Sequence, residues 1–206
     1  MKKLLLIATL CGIGFTAHAD EGSYVGVGLG YGTQKLDHLG SGENQHTGKL
    51  GAKIYGGYQF NDNFALEGGY HYLNKTKADW STSYDRWTKE SGNFSLQGHL
   101  FSVAAVGIIP VNSQFSLFGK LGGGAYHAKA KAAWTETDFY GTESENASKT
   151  KTHGVPVFGL GGEYKFDKNM AVRVEYENFG KPKAWDTEAK LKRLDMFSIS
   201  FRNAFN

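Results

Sequence analysis

Polar and apolar residues alternate one for one along most of this chain, and that period leaves few folds open to it. In a β-strand successive side chains point to opposite faces, so residues two apart share a face. From Phe64 to Tyr72, the residues Phe64, Leu66, Gly68, Tyr70 and Tyr72 take one face, and Ala65, Glu67, Gly69 and His71 the other. From Met170 to Glu177, Met170, Val172, Val174 and Tyr176 stand opposite Ala171, Arg173, Glu175 and Glu177. Stretches 49–60, 115–126 and 156–166 behave alike, with Lys53, Lys120, Glu163 and Lys165 on their polar faces. Eight strands are expected, near 23–34, 49–60, 64–78, 93–110, 115–134, 155–166, 170–180 and 193–205. The phase slips between Leu100 and Val106 and again near Leu194.

The connections alternate as well. Asn61-Asp62-Asn63, Asn112-Ser113-Gln114 and Asp167-Lys168-Asn169 are short and rich in turn formers. Between them lie four long polar connections, near 35–48, 79–92, 135–154 and 181–192. Short turns at one end and long ones at the other describe an up-and-down meander within one domain, residues 20–206.

Residues 1–19 read as a secretory signal peptide. Lys2 and Lys3 supply the positive start, Leu4 to Phe15 the apolar stretch, and Ala17-His18-Ala19 the small residues read at cleavage. The apolar run is too short to span a bilayer, which takes about 20 residues. Cys11 lies inside that run with Leu10 before it, which argues against lipidation. Losing Lys2 and Lys3 lowers the formal charge from +3 to +1, too little to suggest nucleic acid as a partner. The single cysteine goes with the leader, so neither a disulfide framework nor thiol chemistry is expected.

The apolar faces could line a protein core or meet lipid. Charges in the middle of the opposite face favour lipid, since the interior of a barrel can pair them. Aromatic residues also gather at strand ends, as the girdles of membrane barrels do. Tyr58, Phe60, Phe64, Phe115 and Phe166 flank the short turns; Trp80, Trp87, Trp134 and Trp185 fall near the long connections. In lipid every backbone donor must be paired internally, so an antiparallel sheet must close. The reading is therefore an all-β, eight-stranded antiparallel up-and-down transmembrane β-barrel, with a soluble lipocalin-like barrel as the competitor. The 28 glycines, about twice the usual share, then have a use. Gly26, Gly28, Gly30 and Gly32 share one face of the first strand and relieve crowding inside a narrow barrel.

Several stretches resemble the membrane domain of the outer membrane protein A family. They are Gly56-Gly57-Tyr58-Gln59, Glu67-Gly68-Gly69-Tyr70, Lys120-Leu121-Gly122-Gly123, Pro156-Val157-Phe158 through Gly162-Glu163-Tyr164, and Arg173-Val174-Glu175-Tyr176. The likeness runs from about Ser23 to Phe205. The small barrels of the outer membrane protein X and Ail type share this architecture. The resemblance implies a Gram-negative, cell-surface, porin-like barrel with both termini in the periplasm. It also implies a lumenal ion-pair network centred on Glu67 and Arg173, joined by Lys120 and Glu163. A family lysine on the fourth strand is replaced near Ala104 or Ala105, which argues against a gate that works by partner exchange. Larger members carry a peptidoglycan-binding domain after the barrel, a tether not expected in this sequence.

The expected lumenal set is Glu67, Lys120, Glu163, Arg173 and Glu175, with Lys53 and Lys165 on the same faces; the expected interface aromatics are Trp80, Trp134, Tyr58, Phe60 and Phe166. His71, His99 and His127 fall on upper strand segments without ligand spacing, so no metal and no cofactor are expected. A hydrolase would need a Ser or Thr activated by a base. Ser102 lies three residues after His99, on the opposite face, so an enzyme is not expected. The expected function is envelope integrity with surface interaction or adhesion through the long loops. A narrow ion-conducting pore is the alternative and a lipid A-modifying enzyme the third. Expected partners are outer-membrane lipid and lipopolysaccharide, the barrel-insertion machinery and a host surface ligand.

Overall fold

The computed structural model describes residues 22–36, 48–83, 89–137, 142–182 and 191–205, with the backbone alone at 35–36, 76–83, 89–90, 94, 136–137, 142–143 and 191–192. The expected leader, 1–19, and most of the first and last long connections lie outside the described residues. Eight strands follow one another: β1 (Gly22–Leu36), β2 (Gly48–Asn61), β3 (Phe64–Ser83), β4 (Lys89–Pro110), β5 (Phe115–Thr137), β6 (Thr142–Lys165), β7 (Met170–Asn178) and β8 (Leu191–Phe205). Each pairs antiparallel with its neighbours in chain order, and β1 pairs with β8 from Ser23↔Phe205 to Leu36↔Leu191, closing the barrel.

Asn side chains hold the short turns. Asn112 Oδ1 accepts from the backbone N–H of Gln114 at 2.9 Å and of Phe115 at 2.7 Å; Asn61 Oδ1 accepts from that of Asn63 at 2.9 Å. Such turns supply the backbone partners that a two-stranded reversal would otherwise leave open. The ends near Ser23 and Phe205 lie at the same end as these turns.

The alternation separates outside from inside. Outward apolar residues stay exposed in the isolated chain, as Leu121 (64%) and Leu160 (69%) show, while charged residues of the opposite face are buried. This is the reverse of a soluble barrel. Among the described residues no helix is long and apolar enough to cross a membrane; the crossing elements are strands.

Three expectations change. The connection expected at 135–154 is mostly strand: β5 and β6 stay in register to Thr137↔Thr142. Likewise β3 and β4 stay paired to Ser83↔Lys89, across most of 79–92. Along β6, residues 144–150 are exposed or half-buried on both faces, so that stretch looks like a loop. Among the described residues β2 pairs with β3 only to Tyr72 and β7 with β6 only from Phe158. Beyond those points β3–β6 continue as a four-stranded sheet. The slip expected in β4 is also absent, since its register with β5 is unbroken from Lys89 to Pro110. Leu96, Leu100, Ala104 and Val106 all point inward, so this strand is apolar on both faces and its alternation is hidden.

The inside is filled. Near the turns, Tyr24, Tyr55, Ala65, Val106 and Phe118 form one apolar cluster. Farther up, Leu73, Leu96, Leu100, Tyr126, Phe179, Leu194 and Met196 belong to a second, all inaccessible to solvent. β7 stops at Asn178, two residues short of the expected end. Asn178 Oδ1 accepts from Gly180 N–H at 3.0 Å, and Gly180 takes a φ of +71°, a conformation glycine adopts without steric cost.

Candidate functional site

Between the two apolar clusters lies a layer of charges. Its members come from six strands and all occupy inward positions: Lys53 on β2, Glu67 on β3, Lys120 on β5, Glu163 on β6, Arg173, Glu175 and Glu177 on β7, and Arg202 on β8. Arg173 is 1% exposed. Its Nη1 donates to Glu67 Oε2 at 2.7 Å, while its Nη2 and Nε donate to Glu163 Oε2 at 3.0 and 3.2 Å. Lys120 bonds to Glu67 and lies 2.5 Å from Glu175 Oε1. Lys53 bonds to Glu175, and to Glu177 Oε2 at 3.0 Å. Arg202 Nε lies 3.5 Å from Glu163 Oε2.

Four cations therefore face four carboxylates, and the formal charges of this set cancel. Buried ions lose several kcal/mol of hydration each, which only close pairing offsets. Aromatic faces add to it: Arg173 Cζ lies 4.3 Å from the Phe118 ring centroid and 5.1 Å from that of Tyr55. Tyr24 donates its hydroxyl to Glu67 Oε2 at 3.1 Å.

All five expected lumenal residues, Glu67, Lys120, Glu163, Arg173 and Glu175, thus meet in one layer, with Lys53 beside them. Lys165 sits apart, lining a cavity of about 190 Å³ at the turn end with Glu163, Asp62 and Gln59. Glu177 and Arg202 join the layer without having been singled out. Glu177 shares the inward row of Glu175, the signal that could have found it. Ala104 faces Glu67 across the β3–β4 pair. Lys120 reaches the same carboxylate from β5, so Glu67 holds Lys120 and Arg173 together.

The histidines divide. His71 is buried in the layer, with Nε2 3.1 Å from Ser102 Oγ and Nδ1 3.5 Å from Glu177 Oε2. The partner of Ser102 is thus His71, on the neighbouring strand, not His99. The order Ser, His, Glu resembles a hydrolytic triad. However, the Phe179 ring stacks edge-on against His71 at 5.1 Å, and Leu73 and Leu100 close the bore above it. His99 and His127 face outward instead, His99 accepting or donating at Nδ1 to Tyr70 Oη at 2.6 Å. No group of three or more metal-ligating side chains occurs among the described residues.

At the turn end aromatic rings pack against one another. Tyr58 and Phe60 pack at 5.1 Å, Phe60 and Phe64 at 5.6 Å, and Phe166 against Phe201 at 5.8 Å. Trp134 stands elsewhere. It lies nine residues beyond Ala125 on β5, in the projecting sheet rather than beside the apolar band. Trp87 and Trp185 lie outside the described residues, as does the side chain of Trp80. Tyrosines take the upper rim: Tyr31, Tyr70, Tyr72 and Tyr176. Asp195, outward on β8, is covered there by Tyr176, which donates to its Oδ2 at 3.2 Å, and by Arg193. That cluster accounts for the irregular pattern near Leu194.

The family model of the OmpA-like transmembrane domain matches residues 18–202. The chain belongs to that family. Outer membrane protein A of Serratia marcescens is 29% identical over 191 residues, covering 86% of this chain and 49% of the relative. Outer membrane protein A of Shigella dysenteriae is 30% identical over 186 residues, covering 86% and 48%. The chain spans about half the length of the curated relatives it matches. Among solved structures, Yersinia pestis Ail in complex with the heparin analogue sucrose octasulfate is 20% identical, covers 90% of this chain and 99% of that one, and has a TM-score of 0.48. Neisserial surface protein A is 18% identical, with coverage of 89% and 97% and a TM-score of 0.49. As an OmpA-like barrel, the protein resides in the bacterial outer membrane, with its apolar faces in lipid.

Proposed function

We propose that this OmpA-like barrel is a closed, non-enzymatic element of the outer membrane that supports envelope integrity and presents the projecting sheet of β3–β6 as an adhesive surface. The observation that carries the first half is the sealed bore. Ions that form a neutralised layer between two apolar plugs hold the wall together and give solute no path. The alternative of a narrow pore is disfavoured by the upper plug, where Leu73, Leu96, Leu100, Phe179 and Met196 exclude water.

The second half rests on the length of the strands. β5 and β6, with 23 and 24 residues, run far beyond the apolar band. A rigid scaffold that lifts polar side chains clear of the membrane is the usual platform for recognition. Shortening the β5–β6 hairpin to its register pair Ala132↔Ala147 removes its tip, with the pairing of β4 from Lys89 to Asn93, and keeps the register below. Cells displaying the shortened protein are expected to lose most of their attachment to host-cell monolayers at unchanged surface abundance. Undiminished attachment would contradict the adhesive role. Insertion is expected to need the barrel machinery of the envelope, which reads the outward Phe197, Ile199, Phe201 and Phe205 of β8.

A further inference from the structure

At the turn end, beside the charged layer, residues of β2, β4, β5, β6 and two turns enclose the cavity of about 190 Å³. At ~30 Å³ per water that is room for about six waters, or for one small organic molecule. Hydrogen bonds fix its frame. Ile108 N–H donates to Asn63 O at 2.8 Å and Asn63 Nδ2 to Ile108 O at 3.1 Å, which ties the β2–β3 turn to β4. Lys165 N–H donates to Gln114 O at 2.7 Å, which ties β6 to the β4–β5 turn.

Four polar side chains that line this cavity are bonded to nothing in the protein. Among the described residues, the side chains of Gln59, Asp62, Ser116 and Lys165 have neither a hydrogen-bond nor an ion-pair partner. Gln59 is 9% exposed and Ser116 6%. Polar side chains so deeply buried are as a rule hydrogen-bonded. Lys165 is half-buried, whereas Lys168, three residues on, is exposed and needs only water. Glu163 also lines the cavity, but its charge is committed: Oε2 accepts from Arg173 Nη2 and Nε at 3.0 and 3.2 Å and lies 3.5 Å from Arg202 Nε. The charges left to the cavity are one cation, Lys165, and one carboxylate, Asp62. They line the same small space without pairing with each other.

A ligand that satisfies both must itself carry both charges. A lone anion would answer Lys165 and leave Asp62 opposed to it; a lone cation would do the reverse. Ile108, which packs on the lower apolar cluster, gives the cavity an apolar side for a short aliphatic group. We infer that the turn-end cavity binds a small zwitterion, an α-amino acid with a short aliphatic side chain, its carboxylate on Lys165, its ammonium on Asp62, and Gln59 and Ser116 as hydrogen-bond partners. The site lies at the opposite end of the barrel from both the upper plug and the projecting sheet, so it stands apart from conduction and from adhesion.

Nuclear magnetic resonance of the isotope-labelled protein, refolded in detergent micelles, tests this with L-alanine, propionate, ethylamine and L-tryptophan as probes. L-alanine is expected to shift the amide signals of Gln59, Ser116 and Lys165 saturably, and that of Lys129, far up β5, not at all. Propionate and ethylamine, each keeping one charge, should bind at least about tenfold more weakly, because a hydrogen bond to a charged group is lost. Tryptophan should be excluded by size. Lys165→Gln and Asp62→Asn should each weaken alanine by about tenfold or more. Lys165→Arg should retain it, as should Lys168→Gln. Neither charge holds the wall together, so these variants should unfold at the wild-type urea concentration. Absence of saturable shifts with alanine would overturn the site. Propionate bound as tightly as alanine would make it an anion site and overturn the zwitterion assignment. Undiminished alanine binding in Lys165→Gln or Asp62→Asn would overturn the assigned contacts.

Discussion

Arg173 Nη1 meets Glu67 Oε2 at 2.7 Å, joining β7 to β3 across the bore. Both groups are buried, so each is the other's replacement for water. Removing Glu67 alone leaves a cation in excess, whereas removing both restores the balance. Glu67→Ala is expected to cost about 3–5 kcal/mol, and Glu67→Ala with Arg173→Ala less. Urea titration in lipid vesicles, followed by tryptophan fluorescence, measures both; equal losses would mean the pair is not coupled.

Tyr24 lies opposite Gly57, and Tyr55 opposite Gly26, in the β1–β2 register. Each ring lies over the neighbouring glycine: a Cβ on Gly57 would come within 2.6 Å of the Tyr24 ring and 2.5 Å of the Leu66 carbonyl oxygen. The carbonyl cannot swing away as a side-chain end can. Gly57→Ala is expected to destabilise by about 1–3 kcal/mol through overpacking. Gly107→Ala, where a Cβ meets nothing within 4 Å, should stay within about 0.5 kcal/mol. Comparable losses from the two would remove the packing role.

The upper plug predicts electrical silence. Planar bilayers holding the refolded protein should show no reproducible unitary steps. Phe179→Ser with Leu100→Ser opens the cap over the ionic layer and should produce them. Steps in the wild type that vanish on changing Glu67 would favour the pore.

Ser102 Oγ lies 3.1 Å from His71 Nε2, and the Phe179 ring packs on the other side of the imidazole. Mass spectrometry of lipid A from cells with and without the gene should show one acyl pattern, and Ser102→Ala should change nothing in it. An acyl chain lost only when Ser102 is present would establish a hydrolase.

Where the sequence was informative, the reason is physical. Along β2, β3 and β7 one face meets lipid and the other holds charge, so alternation is visible and Glu67, Arg173 and Glu175 fall out of it. In β4 the inward residues Leu100, Ala104 and Val106 are as apolar as the outward ones, because this wall of the bore faces plugs rather than water. Residues 144–150 of β6 are exposed or half-buried on both faces, so that stretch carries no pattern and looks like a loop. Trp134 lies on β5, which runs on to Thr137. The approach of His71 to Ser102 depends on the β3–β4 register, which local sequence does not encode.

The central claim is that the outward row meets lipid while ions stay in the bore. The only cysteine is Cys11, within the expected leader, so single cysteines introduced elsewhere can be spin-labelled selectively after its removal. Paramagnetic accessibility along 116–125 in lipid vesicles tests the claim most directly. Labels at Leu117, Gly119, Leu121 and Gly123 should collide with dissolved oxygen and be shielded from a water-soluble nickel chelate. Labels at Phe118 and Lys120 should be shielded from both. Free collision of the nickel chelate with the label at Leu121 would contradict the account.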